Sequence, residues 1–156
     1  MEGRRMMYFE AKIRKEGKGY RVTFPGLPNV FTYAESFDCA LTSAREALEG
    51  CLLEDLNRGL DLPVPRRYSR KRETHLIPVS LEIGIALLLR KLRREKGWTT
   101  RLVANKLRIS RQAYEKLERG TGNPSVETLE RTLAVFGVKA QIQVQPLLSS
   151  DVRRAA

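Results

Sequence analysis

The hydrophobic period of this chain changes near Ser36, and that change limits what can be built from it. Before it, Met7, Phe9, Ala11 and Ile13 alternate with Tyr8, Glu10 and Lys12, and Tyr20-Arg21-Val22-Thr23-Phe24 alternates again. Period two is the mark of a half-buried strand. Arg14 to Gly19, with two glycines in a charged stretch, is expected to be the hairpin loop between them. Pro25-Gly26-Leu27-Pro28 interrupts pairing, because neither proline can donate to a ladder, and Val30-Phe31-Thr32-Tyr33 is a short third strand. After Ser36, a plausible N-cap, Leu41, Ala44, Leu48, Cys51 and Leu52 recur at helical spacing from Phe37 to Arg58, and Gly59 closes the run. A three-stranded meander with an open apolar face is not stable alone, so the helix has to cover it. The first unit is therefore β-β-β-α, and Tyr20, Phe24 and Tyr33 are expected in its core rather than on a base-stacking platform.

Residues 63–74 carry Pro63, Pro65, Arg66, Arg67, Arg70, Lys71 and Arg72 with almost nothing apolar, which reads as an extended basic linker. His75-Leu76-Ile77-Pro78-Val79 is short and apolar, and its proline demotes it to an edge strand. The rest is mainly helical. Ser80 is expected to cap a helix with Leu81, Ile85, Leu88 and Leu92 inward and Arg90, Lys91, Arg93 and Arg94 outside, ending at Gly97. Thr99 caps a short helix holding Val103, Ala104 and Leu107, and Ser110 caps another from Arg111 to Arg119 with Tyr114 and Leu117 inward. After the turn Gly120-Thr121-Gly122-Asn123-Pro124, Ser125 caps a last helix with Val126, Leu129, Leu133 and Phe136 inward. The alternating tail Ala140 to Gln145 is expected to form a final strand, pairing with 75–79 or with its mate in a dimer.

Charge divides along the same line. Met1 to Leu62 holds 9 basic and 10 acidic residues, whereas Pro63 to Ala156 holds 20 and 8, so the overall +11 sits in the second part. A strongly basic unit needs a partner of negative charge, and the neutral first unit faces a different partner. No run approaches the roughly 18 apolar residues of a membrane span, and Met1 to Met7 lacks the apolar core of a secretory signal; a cytoplasmic protein is expected. Met6 or Met7 is an alternative start. Cys39 and Cys51, twelve residues apart in one helix, read as small core residues in a reducing compartment.

The ordered pattern Thr99, Thr100, Val103, Ala104, a turn at Arg108 and Ile109, Ser110, Arg111, Gln112, Tyr114, Lys116, Leu117, Glu118-Arg119-Gly120 and Asn123-Pro124 resembles the Xre/Cro/cI-type helix-turn-helix. Val103, Ala104, Ile109, Tyr114 and Leu117 would lock two helices across the turn, while Arg111, Gln112 and Lys116 project from the free face. Arg and Gln are the residue types that bond guanine O6/N7 and adenine N6/N7 in the major groove. Thr99, Thr100, Arg101, Ser110, Arg111, Gln112, Lys116 and Arg119 are the DNA-binding candidates. Two positions depart from the family: Arg108 stands where the turn usually has glycine, and Thr100 replaces the usual Gln.

In the first unit, Gly19-Tyr20-Arg21-Val22-Thr23-Phe24-Pro25-Gly26-Leu27-Pro28, the aromatic strand, Ser36, Ala40-Leu41, Ala44, Ala47-Leu48 and the closing Leu62-Pro63 and Pro65 resemble the HicB antitoxin family. With the helix-turn-helix, the resemblance runs from about Tyr8 to Val144. It implies an α+β fold: a partial ribonuclease H-like HicB domain at 1–62, the linker 63–74, an all-α DNA-binding domain at 75–146 and a flexible tail at 147–156. It also implies binding of a HicA-like, RNA-cleaving toxin and repression of the operon encoding both proteins, by a homodimer or tetramer on double-stranded operator DNA. Pro25, Gly26, Leu27 and Pro28 are the toxin-binding candidates, from their exposed turn character. The family often has Asp where Gly26 stands, so a carboxylate role there does not carry over.

An enzyme is not expected. A ribonuclease H-type nuclease needs several carboxylates around Mg²⁺, yet Glu10 is the one acidic residue on the predicted strands, and Glu46, Glu49, Glu54 and Asp55 read as the solvated face of the helix. His75 is the single histidine and has no Cys or Ser partner in register, so neither a catalytic triad nor a zinc site is expected, and no cofactor. The rival reading is a stand-alone Xre-family regulator whose first unit senses a ligand or oligomerises. An RNA-processing enzyme is the third.

Overall fold

A computed structural model describes residues 8–60 and 73–141. The segment through Met7, the Arg66–Arg72 cluster, and the expected final strand and 147–156 tail beyond Gln141 lie outside the described residues. The elements are β1 (Tyr8–Glu16), β2 (Gly19–Phe24), β3 (Leu27–Ala34), α1 (Phe37–Arg58), β4 (Thr74–Pro78), α2 (Leu81–Glu95), α3 (Thr100–Leu107), α4 (Arg111–Glu118) and α5 (Val126–Val135). The fold is α+β, with an antiparallel sheet in the order β3-β2-β1-β4.

The β1–β2 hairpin is tighter than expected. Arg14 and Lys15 continue the ladder opposite Arg21 and Tyr20, leaving a two-residue turn at Gly17-Lys18 with Gly17 at φ 59. Glycine in the first central position suits the twist of a type II′ hairpin. β3 is longer than expected, because Pro25-Gly26 alone makes the turn and Leu27 already pairs with Phe24. Pro28 is tolerated since β3 is an edge strand, and the register shift at Thr23/Phe24 absorbs it. Along β3, Val30, Thr32 and Ala34 face α1, which leaves Phe31 69% and Tyr33 53% exposed on the other face. Tyr33 is thus not a core residue, whereas Phe24 is buried and Tyr20 is half-buried, edge-on to Phe37. Val30 and Phe31 are both apolar, so alternation alone left the phase of this strand open; the smaller side chains fit beneath the helix.

α1 begins where Ser36 Oγ accepts from Cys39 N and ends at Gly59, φ 72. Ala40, Ala44, Leu48, Leu52 and Leu56, at a spacing of four, are fully buried against the sheet. Each of those leucines contributes about 2 kcal/mol by area. Leu41 and Cys51 flank the stripe, half-buried, and Cys39 is exposed rather than in the core. Burial and then the Asp55 carboxylate, to which it donates, raise the pKa of the Cys51 thiol.

The largest departure from expectation concerns residues 74–78. They are β4, paired with β1 from Tyr8↔Pro78 to Lys12↔Thr74, which makes them a strand of the first unit's sheet. Ile77, Val79, Ile83, Ala86 and Leu87 share one core with the sheet and α1, while Leu89 opens a second core with Val103, Ala104, Leu107, Tyr114, Leu117, Leu133 and Phe136. No boundary falls at residue 75: α2 belongs to both cores. That is also why the stripe Leu81, Ile85, Leu88, Leu92 is mis-phased. Leu81 is 63% exposed and the other three are half-buried, because a helix covered on two sides buries a wider arc, here including Ile83, Ala86, Leu87 and Leu89. Ser80 does not cap through its side chain; its backbone N donates to Glu49 Oε1 at 2.8 Å. Glu49 is accordingly half-buried and also paired with Arg45, not part of a solvated face.

Arg90 and Arg94 complete the joint. Expected outside, Arg90 is buried and donates through Nη2 to Leu56 O (2.7 Å) and through Nη1 to Leu60 O (3.3 Å), while Arg94 reaches Gly59 O. These carbonyls lie at and just past the end of α1, where the helix dipole and the spare acceptor capacity of the oxygens both favour a cation. Burial lowers the pKa of Arg90.

Candidate DNA interface

Two short helices meet at a turn held from three sides. Thr99 Oγ1 accepts from Leu102 N to start α3, and Ser110 Oγ accepts from Ala113 N to start α4. Between them Arg108 adopts φ 56, ψ 41, the left-handed conformation its position requires, and Ile109 N returns to Ala104 O at 3.1 Å. From α5, Arg131 Nη2 donates to Leu107 O at 2.9 Å, capping α3 from outside. Val103, Ala104, Tyr114 and Leu117 are buried across the turn and Ile109 is half-buried, the interlock expected from the sequence.

Beneath the helices lies an ion pair the sequence reading missed. Arg93 Nε and Nη2 donate to the two Glu118 oxygens at 2.6 and 2.8 Å, and its Nη1 donates to Trp98 O at 3.0 Å. The Glu118 side chain is 4% exposed, so this bidentate pair fixes the end of α4 to α2. The bond to Glu118 raises the pKa of Arg93. Beside the pair, the Tyr114 hydroxyl is buried without a hydrogen bond, and burial followed by the Glu118 charge raises its pKa. Trp98, also not singled out from sequence, stacks on Phe136 with centroids 5.6 Å apart and has Lys106 Nζ 5.0 Å from its ring. A residue two before the run Thr100-x-x-x-Ala104 is an obvious packing position only once Phe136, at the end of α5, is seen to return to it.

The outer surface gathers most of the candidates. Thr99, Arg101, Ser110, Arg111, Gln112, Lys116 and Arg119 are exposed along the start of α3 and the length of α4. Thr100 is half-buried and donates to Glu115 Oε1 at 3.3 Å. Arg111 is not a free cation: its Nε lies 2.6 Å from the same oxygen, and that bond lowers the pKa of Glu115. Gly120 (φ 70) and Gly122 make the exit from α4, where a Cβ on Gly122 would stand 2.9 Å from Leu117 Cδ2. A Cβ on Gly120 would stand 3.5 Å from Leu53 Cδ2 of α1, so the end of α4 approaches the first unit. Val126, expected inward on α5, is 63% exposed; Leu129 is half-buried, and Leu133 and Phe136 carry the packing.

Of the toxin-binding candidates, Pro25, Gly26 and Pro28 are exposed and Leu27 is buried at 7%, seated in the sheet core. Among the described residues no group of three or more His, Cys, Asp or Glu is placed to hold a metal ion, and His75 packs edge-on to Phe37. No helix of the described residues is long and apolar enough to cross a membrane.

Residues 89–142 match a helix-turn-helix family model, an interval that begins inside α2 and contains α3, α4 and α5. No curated protein matches the chain. The match and the geometry agree on a helix-turn-helix of the Xre/Cro type, which supports sequence-specific DNA binding and transcription regulation by the second part of this protein.

Proposed function

We propose that the chain is an antitoxin and autorepressor of the HicB kind: the second part binds its operator, and the first binds and blocks a HicA-like, RNA-cleaving toxin. Sequence supports the toxin half through the ordered resemblance from Gly19 to Pro65. The observation that carries it is the uncovered aromatic pair Phe31 and Tyr33, on the face of β3 away from α1 in a neutral unit. Large exposed aromatics in one patch are the common anchors of protein interfaces. We assign the partner surface to Phe31 and Tyr33 together with the exposed turn residues Pro25, Gly26 and Pro28, with buried Leu27 supporting the turn from below.

The test is growth rescue in cells expressing the small protein encoded beside this one. The full chain restores growth, and Phe31→Ser with Tyr33→Ser abolishes both rescue and co-purification while leaving DNA binding intact. A neighbour that is not toxic, or a double variant that still rescues, overturns the reading. The same uncovered face also suits oligomerisation in a stand-alone regulator; a double variant that changes native mass without any toxic neighbour favours that rival.

On DNA, Arg111 and Gln112 are assigned to base edges, and Thr99, Thr100, Arg101, Ser110, Lys116 and Arg119 to phosphates or positioning. One helix-turn-helix reads a half-site, so two copies are assigned to half-sites about 34–36 Å apart. Arg111→Ala or Gln112→Ala lowers operator affinity with discrimination lost at one or two base pairs, roughly 1–3 kcal/mol each. Arg101→Ala weakens all sequences alike and flattens the salt slope. A Gln112 variant whose operator-to-scrambled ratio is unchanged in a gel-shift titration removes Gln112 from base reading.

A further inference from the structure

Two exposed arginines, Arg111 at the start of α4 and Arg119 at its C-cap, share one carboxylate. Glu115 sits between Arg111, whose Nε is 2.6 Å from Oε1, and Arg119, whose Nη2 is 3.9 Å from Oε2, and it also accepts from Thr100 of α3 at 3.3 Å. Arg111 and Arg119 have side chains 65% and 50% exposed, while that of Glu115 is 22% exposed, set back between them. A stabilising role does not account for this placement, since ion pairs at exposed positions contribute little. Its consequence for an approaching duplex is larger. Sequence-independent affinity comes from phosphates displacing counterions, and it scales with the free cations presented. A carboxylate already engaged with two of them, at the mouth of the interface, repels the same phosphates. Meanwhile a bond to Arg111 Nε leaves both Nη groups of that guanidinium to address the O6/N7 pair of a guanine.

Resting on the DNA-binding reading above, we infer that Glu115 is a specificity-determining positioning residue: it orients Arg111 for a base edge and weakens the sequence-independent hold of Arg111 and Arg119 on phosphate. The experiment uses the full chain, a duplex selected from a random library, and a scrambled duplex of equal length. Glu115→Gln preserves the shape and removes the charge. It raises affinity for scrambled DNA by about tenfold, an effect of one surface charge at close range. It lowers the selected-to-scrambled ratio by a similar factor and steepens the log–log salt dependence by about one phosphate. In an Arg111→Ala background the same substitution leaves the ratio nearly unchanged. A ratio unaltered by Glu115→Gln, or one that falls equally with Ala at 111, overturns the inference. Failure of the unaltered protein to select any duplex instead overturns the DNA-binding reading itself. Circular dichroism confirms that each variant is folded.

Discussion

Arg108 holds a left-handed backbone that costs a residue with a Cβ roughly 1–2 kcal/mol, and it does so because the turn between α3 and α4 closes only through that conformation. Arg108→Gly is expected to raise stability by about 1 kcal/mol in urea unfolding, the relief of strain exceeding the added chain entropy. An unchanged midpoint means that the arginine side chain offsets the strain. Tyr114 is a second residue where a single group sets a measurable quantity. Its raised pKa means that the folded state keeps the phenol proton after the unfolded state, titrating near 10, has released it. The contribution is therefore fully present below about pH 10 and is lost as the pH rises beyond it. Tyr114→Phe removes a buried hydroxyl without a hydrogen bond, so the change at pH 7 is expected to be neutral or stabilising by up to about 1 kcal/mol. Between pH 10 and 11 the variant loses stability less steeply than the unaltered protein; parallel curves rule the assignment out.

At the scale of elements, arginines of one helix cap the end of another twice: Arg90 closes α1 and Arg131 closes α3. Arg90 matters more, since α1 and α2 belong to different stretches of the chain and the guanidinium binds Leu56 O and Leu60 O from within the protein. Arg90→Met fills most of the volume but removes the buried donor to Leu60 O and leaves Leu56 O with only the 3.3 Å bond from Gly59 N, and is expected to cost about 2 kcal/mol. Amide exchange is the sharper probe: protection should fall in the last turn of α1 and leave α4 nearly unaffected. Uniform loss would show instead a general packing defect.

The described residues form two cores with one shared helix, with Leu87 in the first core and Leu89 in the second, two residues along α2. Such sharing predicts a single cooperative transition. Trp98, the only tryptophan, packs on the second core, so its fluorescence reports that core alone. Leu52→Ala, deep in the first core, is expected to cost roughly 2–5 kcal/mol and to shift the fluorescence and far-UV transitions together. Separate midpoints would show two independent units. Under the proposed function, the shared helix α2 ties a partner seated on Phe31 and Tyr33 to the same framework as α4.

Local patterns in the sequence determined the element types, the caps at Ser36, Thr99, Ser110 and Ser125, the glycine stop at residue 59 and the interlock of Val103, Ala104, Tyr114 and Leu117, because each depends on neighbours within a few residues. The helix-turn-helix was legible for the same reason: its spacing is short and rigid. Tertiary structure decided what depends on distant partners. It put β4 beside β1 in the first unit's sheet, buried Arg90 and Glu118, turned Phe31 and Tyr33 outward, and set Glu115 between two arginines. A charged residue reads as solvent-facing when its sequence neighbours are charged. Whether it is buried depends on a carbonyl or counter-ion brought in by another element, here 34 residues away for Arg90 and 25 for Arg93.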